Sequence, residues 1–260
     1  DIQNLLEQFL MFRKIITSVP NTLTCCNLLC GALACIFAFS AYRVFPDLWG
    51  LNGRQIVWIL IGAAAFFDFF DGAAARALHA PSPLGKELDS LADLISFGMA
   101  PAMLLYNILI VWSASWWIPY VSLIIPVMGG LRLAKFNLDD SQSTIFKGLP
   151  IPANAIFWIG ATAWMQSHAK EWMAEHIYWG NLIVSLAIVF VALLMVTDMR
   201  MFSLKLKNFR IGENFLRYIL IVAAIVFVAV FGVEGFAYTI ILYFILSACA
   251  QRKLSRPESH

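Results

Sequence analysis

Apolar residues gather along this chain into blocks of roughly 17–25 residues, the length a helix needs to cross a bilayer, separated by short polar connections. Eight such blocks can be drawn, at approximately 21–43, 55–78, 88–112, 117–135, 150–168, 180–198, 215–233 and 235–250. The last two are joined by a very tight turn at Gly232–Gly235 and also read as one hairpin. Lipid offers no partner for backbone N–H and C=O groups, so every block is expected to be helical. The fold class that follows is an all-α polytopic membrane protein with about eight transmembrane helices. Its organisation reads as a juxtamembrane segment over 1–19, a single transmembrane domain over 20–250 and a tail over 251–260.

The basic residues agree with this division. An even number of spans puts both termini on one side, and on that side fall all of the 18 Lys and Arg residues except Arg43, Arg54 and Lys170. The positive-inside rule then places both termini, and the connections after spans 2, 4 and 6, in the cytoplasm. The basic stretch 199–214, MRMFSLKLKNFRIGEN, reads as an ordinary cytoplasmic loop or as an amphipathic segment lying on anionic headgroups. The first twenty residues lack the order of a signal peptide, because acidic and polar positions come first and Arg13–Lys14 follows the first apolar stretch. Leu5, Leu6, Phe9, Leu10, Phe12 and Ile16 suit a short interfacial helix ahead of Pro20.

Composition removes the soluble classes. Hydrophobic residues make up 61% of the chain and charged residues 13%, against about 45–50% and about 25% in soluble domains. No compact domain with a basic face can be drawn, so no nucleic-acid partner is expected. Four of the five cysteines, Cys25, Cys26, Cys30 and Cys35, share one apolar block, and Cys249 lies in another. None has zinc-finger spacing, and they read as small membrane-embedded side chains without a disulfide framework.

Against that apolar background, Asp68 and Asp71 stand out inside the second block. On insertion scales an Asp at a helix centre costs about 2.5–3.5 kcal/mol, and carboxylates within spans mark functional sites by default. Asp68, Asp71, Gly72, Ala75 and Arg76 fall at i, i+3, i+4, i+7 and i+8, which is one stripe of a helix. The third block opens with a second stripe, Gly85, Asp89, Asp93, Ser96 and Ala100. The connection ALHAPSPLGKE is short and contains proline, so the two helices should be antiparallel neighbours whose Asp-bearing ends meet. Four gathered carboxylates repel one another unless protons or cations intervene. With oxygen ligands and no Cys, hard divalent cations fit: Mg²⁺ or Mn²⁺, with Ca²⁺ able to occupy the same place. Two ions about 3.5–4 Å apart would form a clamp of the kind used in phosphoryl transfer. His79 is the one histidine close by and reads as a loop residue.

The run DFFDGAAARALHAPSPLGKELDSLAD over 68–93 matches D-x2-D-G-x2-A-R-x8-G-x3-D-x3-D at every specified position. That is the signature of the CDP-alcohol phosphatidyltransferase family, which the chain therefore resembles. Members displace CMP from a CDP-linked lipid or alcohol and join the phosphoryl group to an acceptor hydroxyl. The resemblance implies that Asp68, Asp71 and Asp89 bind metal, and that Asp93 is both a metal ligand and the general base. It also implies that Gly72, Ala75, Arg76 and Gly85 belong to the CDP-lipid site. Three flanking stretches are similar to the branch that uses CDP-diacylglycerol and L-serine, the membrane-embedded phosphatidylserine synthases. They are PNTLTCCNLLCG (20–31), LDSLADLISFGMAPA (88–102), and LRLAKFN (131–137) followed by FKGLPIPANA (146–155). Thr24 and Asn27 would line the nucleotide site or join helices by hydrogen bonds. Arg132, Lys135 and Asn137 would recognise serine, although the branch more often has Arg at position 135, and Lys lacks its bidentate fork. Membrane lipids as partners, a homodimer, and a bacterial cytoplasmic membrane with the site facing the cytoplasm are further expectations. The alternatives are another acceptor, such as glycerol 3-phosphate or an inositol phosphate, and, in a different class, a cation transporter using the carboxylates.

Overall fold

The computed structural model describes residues 2–78, 82–113, 115–138, 146–201 and 211–254, with side chains over 18–78, 82–113, 115–138, 148–199, 201 and 214–249. His79 and the basic core of the 199–214 stretch, residues 202–210, lie outside the described residues, as do the side chains proposed for an interfacial helix before Pro20.

Helices dominate, as the apolar blocks predict. They are α1 (Ile2–Ala38), α2 (Gly53–Ala77), α3 (Pro83–Asp93), α4 (Ala100–Trp112), α5 (Ile124–Leu138), α6 (Ile151–Trp164), α7 (Lys170–Glu175), α8 (Ile177–Val196), α9 (Ile211–Phe231) and α10 (Gly235–Leu254). The strands are two-residue pairs: β1 (Val44–Phe45) with β2 (Leu51–Asn52), and β3 (Phe146–Lys147) with β4 (Arg200–Met201). Among the described residues, six helical stretches are long and apolar enough to cross a membrane. They are Ser18–Ala38, Gly53–Ala77, Pro83–Trp112, Ile118–Leu138, Ile177–Val196 and Asn214–Cys249.

Two places differ from the eight-block division. The expected 150–168 span is an α-helix only to Trp164, and Met165–Ala169 continues as a π-helical turn, leaving α6 at 14 residues. Asn214–Cys249 is one apolar stretch of 36 residues, folded back on itself at a short 3₁₀ turn, Gly232–Glu234. There Gly232 takes φ 59°, and Tyr238 reaches back to the Phe231 ring at 5.1 Å and the Phe227 ring at 6.1 Å. Pro20 is a third difference: α1 runs through it without ending. The Thr22 hydroxyl donates to the Ser18 carbonyl at 2.8 Å, two residues before the proline. All five cysteines are free.

The chain forms two compact units, Asp1–Leu104 and Leu105–His260. In the first, α1 packs along α2 and also lies against α3 and the segment that follows it. That segment, Leu94–Met99, is π-helical and leads directly into α4. Gly31 makes the crossing close: a Cβ there would stand 2.7 Å from the Ser96 Cα. Ser96, fully buried, donates from its hydroxyl to the Asn27 carbonyl at 3.0 Å. In the second unit α5 packs on α8, and α6 packs on α10. Here too a glycine permits the approach, since a Cβ on Gly160 would run into the Ala237 backbone nitrogen and stand 3.0 Å from its Cα.

Gly31→Ala should destabilise the protein by about 1–3 kcal/mol, the usual cost of forcing bulk into a filled contact. Gly62, with nothing within 4 Å of an added Cβ, is the control: Gly62→Ala should leave the midpoint unchanged or raise it. Thermal denaturation in detergent compares the two, and equal midpoints would contradict a tight α1 crossing.

Candidate metal and CDP-lipid site

Three helices of the first unit build the site. α2 starts at a capping box in which Asn52 and Gln55 exchange side-chain-to-backbone hydrogen bonds at 2.9 and 3.0 Å. It then carries Asp68 and Asp71 toward its C-terminal end. α3 starts with Ser82 as N-cap, whose hydroxyl accepts from the Gly85 N–H at 2.9 Å, and with Pro83 in the first turn. The predicted meeting of the Asp stripes occurs. One carboxylate oxygen from each of Asp68, Asp71 and Asp89 lies within 4.8 Å of the others, a spacing that can hold a metal ion. Asp93, one turn further along α3, stands within electrostatic reach of Asp68 and Asp89.

α1 closes the third side. Thr24, buried, donates from its hydroxyl to Asp71 Oδ2 at 2.7 Å, tying α1 to α2 at the cluster. Asn27 is wholly buried beside Asp93, but neither polar atom of its amide makes a well-aligned hydrogen bond. Asp89 Oδ1 and Asp93 Oδ1 are likewise buried without a hydrogen-bond partner. Buried polar atoms in folded proteins are nearly always partnered, by protein, water or ligand. Several orphaned oxygens converging from two helices are what a hard cation requires, so the residues fit a divalent metal.

The small residues divide by task. Gly72 faces open space, the nearest atom to an added Cβ being an Arg76 guanidinium nitrogen at 3.4 Å. On the same helix Ala75 lies half-exposed and Arg76 exposed. Among the described residues Arg76 has no ion pair, leaving a cation beside the carboxylates for an anionic group. Gly85 is instead enclosed, with an added Cβ 2.9 Å from both Asn21 Oδ1 and Ser82 Oγ. Asn21 escaped the sequence reading, although it lies within the PNTLTCCNLLCG segment, whose polar positions were the available signal.

Thus Thr24, Asn27, Asp68, Asp71, Gly72, Ala75, Arg76, Gly85, Asp89 and Asp93 all lie in the first compact unit. Arg132, Lys135 and Asn137 lie on α5 in the second. Arg132 is half-buried near Tyr243 of α10, Lys135 is exposed and Asn137 is half-buried. Tyr243 was not legible as a neighbour, because the last blocks carry only hydrophobicity.

The family model of the CDP-alcohol phosphatidyltransferases matches residues 17–230. A CDP-diacylglycerol–serine O-phosphatidyltransferase of Bacillus subtilis is 38% identical over 138 residues, covering 52% of this chain and 69% of that protein. The protein of the same name from Mycobacterium leprae is 42% identical over 120 residues, covering 44% of this chain and 39% of its own. The one from Methanocaldococcus jannaschii is 33% identical over 189 residues, covering 72% and 75% respectively. A match across most of the chain, with every position of the signature present on helices that bring its carboxylates together, shows that the chain belongs to the CDP-alcohol phosphatidyltransferase family.

Proposed function

We propose that this protein is a metal-dependent CDP-diacylglycerol–serine O-phosphatidyltransferase of phospholipid biosynthesis, with residues 20–250 acting as one catalytic domain. The observation that carries the reading is the convergence of Asp68, Asp71 and Asp89 within 4.8 Å, with Asp89 and Asp93, one turn apart, each presenting a buried unpartnered oxygen. Serine as acceptor is supported by relatives from bacteria and an archaeon that carry that name.

Asp68, Asp71 and Asp89, joined by Asp93, would hold two ions, Mg²⁺ or Mn²⁺. Such ions neutralise the pyrophosphate of the substrate and stabilise the CMP anion as it leaves. Thr24 holds Asp71 in one orientation through its hydroxyl. Gly72 leaves room for the CDP group at the helix surface, and Arg76 supplies a cation for its phosphates. Asp93 accepts the proton of the serine hydroxyl. The serine oxygen then bonds to the phosphorus that carries diacylglycerol, the bond from that phosphorus to the CMP oxygen breaks, and CMP departs. Asn27, beside Asp93, orients that carboxylate or the nucleotide. Arg132, Lys135 and Asn137 are assigned to the serine carboxylate and amine, Arg132 as the strongest anion partner. Both termini and the site would lie at the cytoplasmic face of a bacterial membrane crossed eight times, with α9 and α10 as separate crossings, a reading supported by the basic connections.

Three outcomes are expected of purified protein. CMP release from CDP-diacylglycerol should require a divalent ion and L-serine; release that depends on glycerol 3-phosphate or an inositol phosphate in place of serine would transfer the assignment to another acceptor. Asp68→Ala and Asp89→Ala should each lower turnover at least about 100-fold and abolish its response to added Mg²⁺ or Mn²⁺, read from activity against metal concentration; a preserved metal response refutes their role as ligands. Asp93→Asn should lower kcat by about 10²–10⁴-fold, the usual worth of a positioned base, with binding of CDP-diacylglycerol still measurable. Near-normal turnover would remove Asp93 as the base.

A further inference from the structure

The connection between α1 and α2 is not built like a loop that faces water. It folds into an antiparallel ladder in which Val44 opposes Asn52 and Phe45 opposes Leu51. The tip is fixed by the N–H groups of Leu48 and Gly50, which both donate to the Phe45 carbonyl at 3.1 Å. The base is fixed by the Gly53 and Arg54 N–H groups, which donate to the Arg43 and Ala41 carbonyls at 3.0 and 3.1 Å. Arg54 is buried there, its guanidinium 5.9 Å from the Tyr42 ring and 5.4 Å from the Trp58 ring.

Of the exposed residues on this ordered frame, Val44, Leu48 and Trp49 are apolar, with Arg43 and Asp47 beside them. Val44 is 57% exposed, Leu48 37% and Trp49 91%. Trp49 also takes φ 51°, the only non-glycine residue with positive φ among those described. A bulky side chain rarely occupies that region, and such outliers persist where the surroundings or the function hold them. Trp49 packs on almost nothing in its own chain, so the surface it serves lies outside the chain.

Position identifies that surface. The hairpin joins two candidate membrane spans, Ser18–Ala38 and Gly53–Ala77. At 1.5 Å per residue, Gly53 to Asp71 along α2 covers roughly 27 Å, close to the ~30 Å of a bilayer's hydrocarbon core. With the carboxylates at one face of the membrane, the hairpin therefore meets the other. Tryptophan is the side chain that settles at the headgroup level, its ring partly apolar and its N–H wet.

We propose that the Tyr42–Gly50 hairpin is an interfacial anchor. Trp49, with Leu48 and Val44, inserts among the lipid headgroups of the leaflet opposite the carboxylate cluster. Arg43, exposed and 5.2 Å from the Phe45 ring, offers its charge to a lipid phosphate. This assignment is independent of the reaction the protein performs.

The test uses the full chain in phosphatidylcholine vesicles whose acyl chains carry bromine either near the headgroup or near the terminal methyl. Wild-type emission minus that of Trp49→Phe isolates the Trp49 signal. Shallow bromines should quench it strongly, deep bromines weakly and aqueous iodide little. Quenching by iodide with no effect of bromolipid would overturn the anchor, and so would quenching mainly by deep bromines. Trp49→Gly, which suits positive φ, should melt in detergent at the wild-type temperature or above it. A fall of several degrees would show that Trp49 packs within the protein, and the proposal would fail.

Discussion

Asp68, Asp71 and Asp89 stand close enough to share a cation, with Asp93 one turn further along α3, in helical stretches long and apolar enough to cross a membrane. Like charges at such spacing repel, and low-dielectric surroundings weaken the screening that would make this tolerable in water. The cluster persists only if the surrounding helices hold it while a cation or protons neutralise it. The neighbouring structure follows from that constraint. Thr24 bonds to Asp71 from a third helix, the Ser82 cap and Pro83 start α3, and Gly31 lets α1 approach closely enough to close the group.

Two kinds of contact therefore meet at the site. One is steric: glycines at 31 and 85 are enclosed and allow close approach of helices or polar side chains. The other is polar and incomplete, with oxygens of Asp89 and Asp93 and the amide of Asn27 left unbonded. Buried oxygens held on packed helices without well-aligned partners are suited to geometry-dependent binding. Gly72 differs from the enclosed glycines because its face is open, on the same helix as the cluster. The same residue type thus serves helix packing in one place and ligand access in another.

Much of this was legible in the sequence because two simple periodicities coincide. A 3.6-residue repeat put Asp68, Asp71, Gly72, Ala75 and Arg76 on one stripe, and a short connection forced the two Asp pairs together. What escaped follows from the limits of periodicity. The π-helical turn at Leu94–Met99 shifts the register just after Asp93, and an apolar run looks the same whether wound as α or π. For the same reason the 150–168 block concealed its change of winding at Met165. Pro20 suggested an end to the first helix, yet α1 continues through it. The nearness of Tyr243 to Arg132 depends on tertiary packing between sequence-distant helices, which no local pattern encodes.

The bond from Thr24 to Asp71 has a consequence for anyone wishing to transplant this centre. Because α1 supplies both that hydroxyl and the Gly31 notch, the Asp-bearing hairpin of α2 and α3 is not a portable module. Grafted onto a foreign scaffold without α1, it would have one carboxylate free to turn and a groove where a helix should lie. The smallest unit that preserves the arrangement is a three-helix one, from about residue 18 through the π-helical turn. A designer or a recombination event would have to move that block whole.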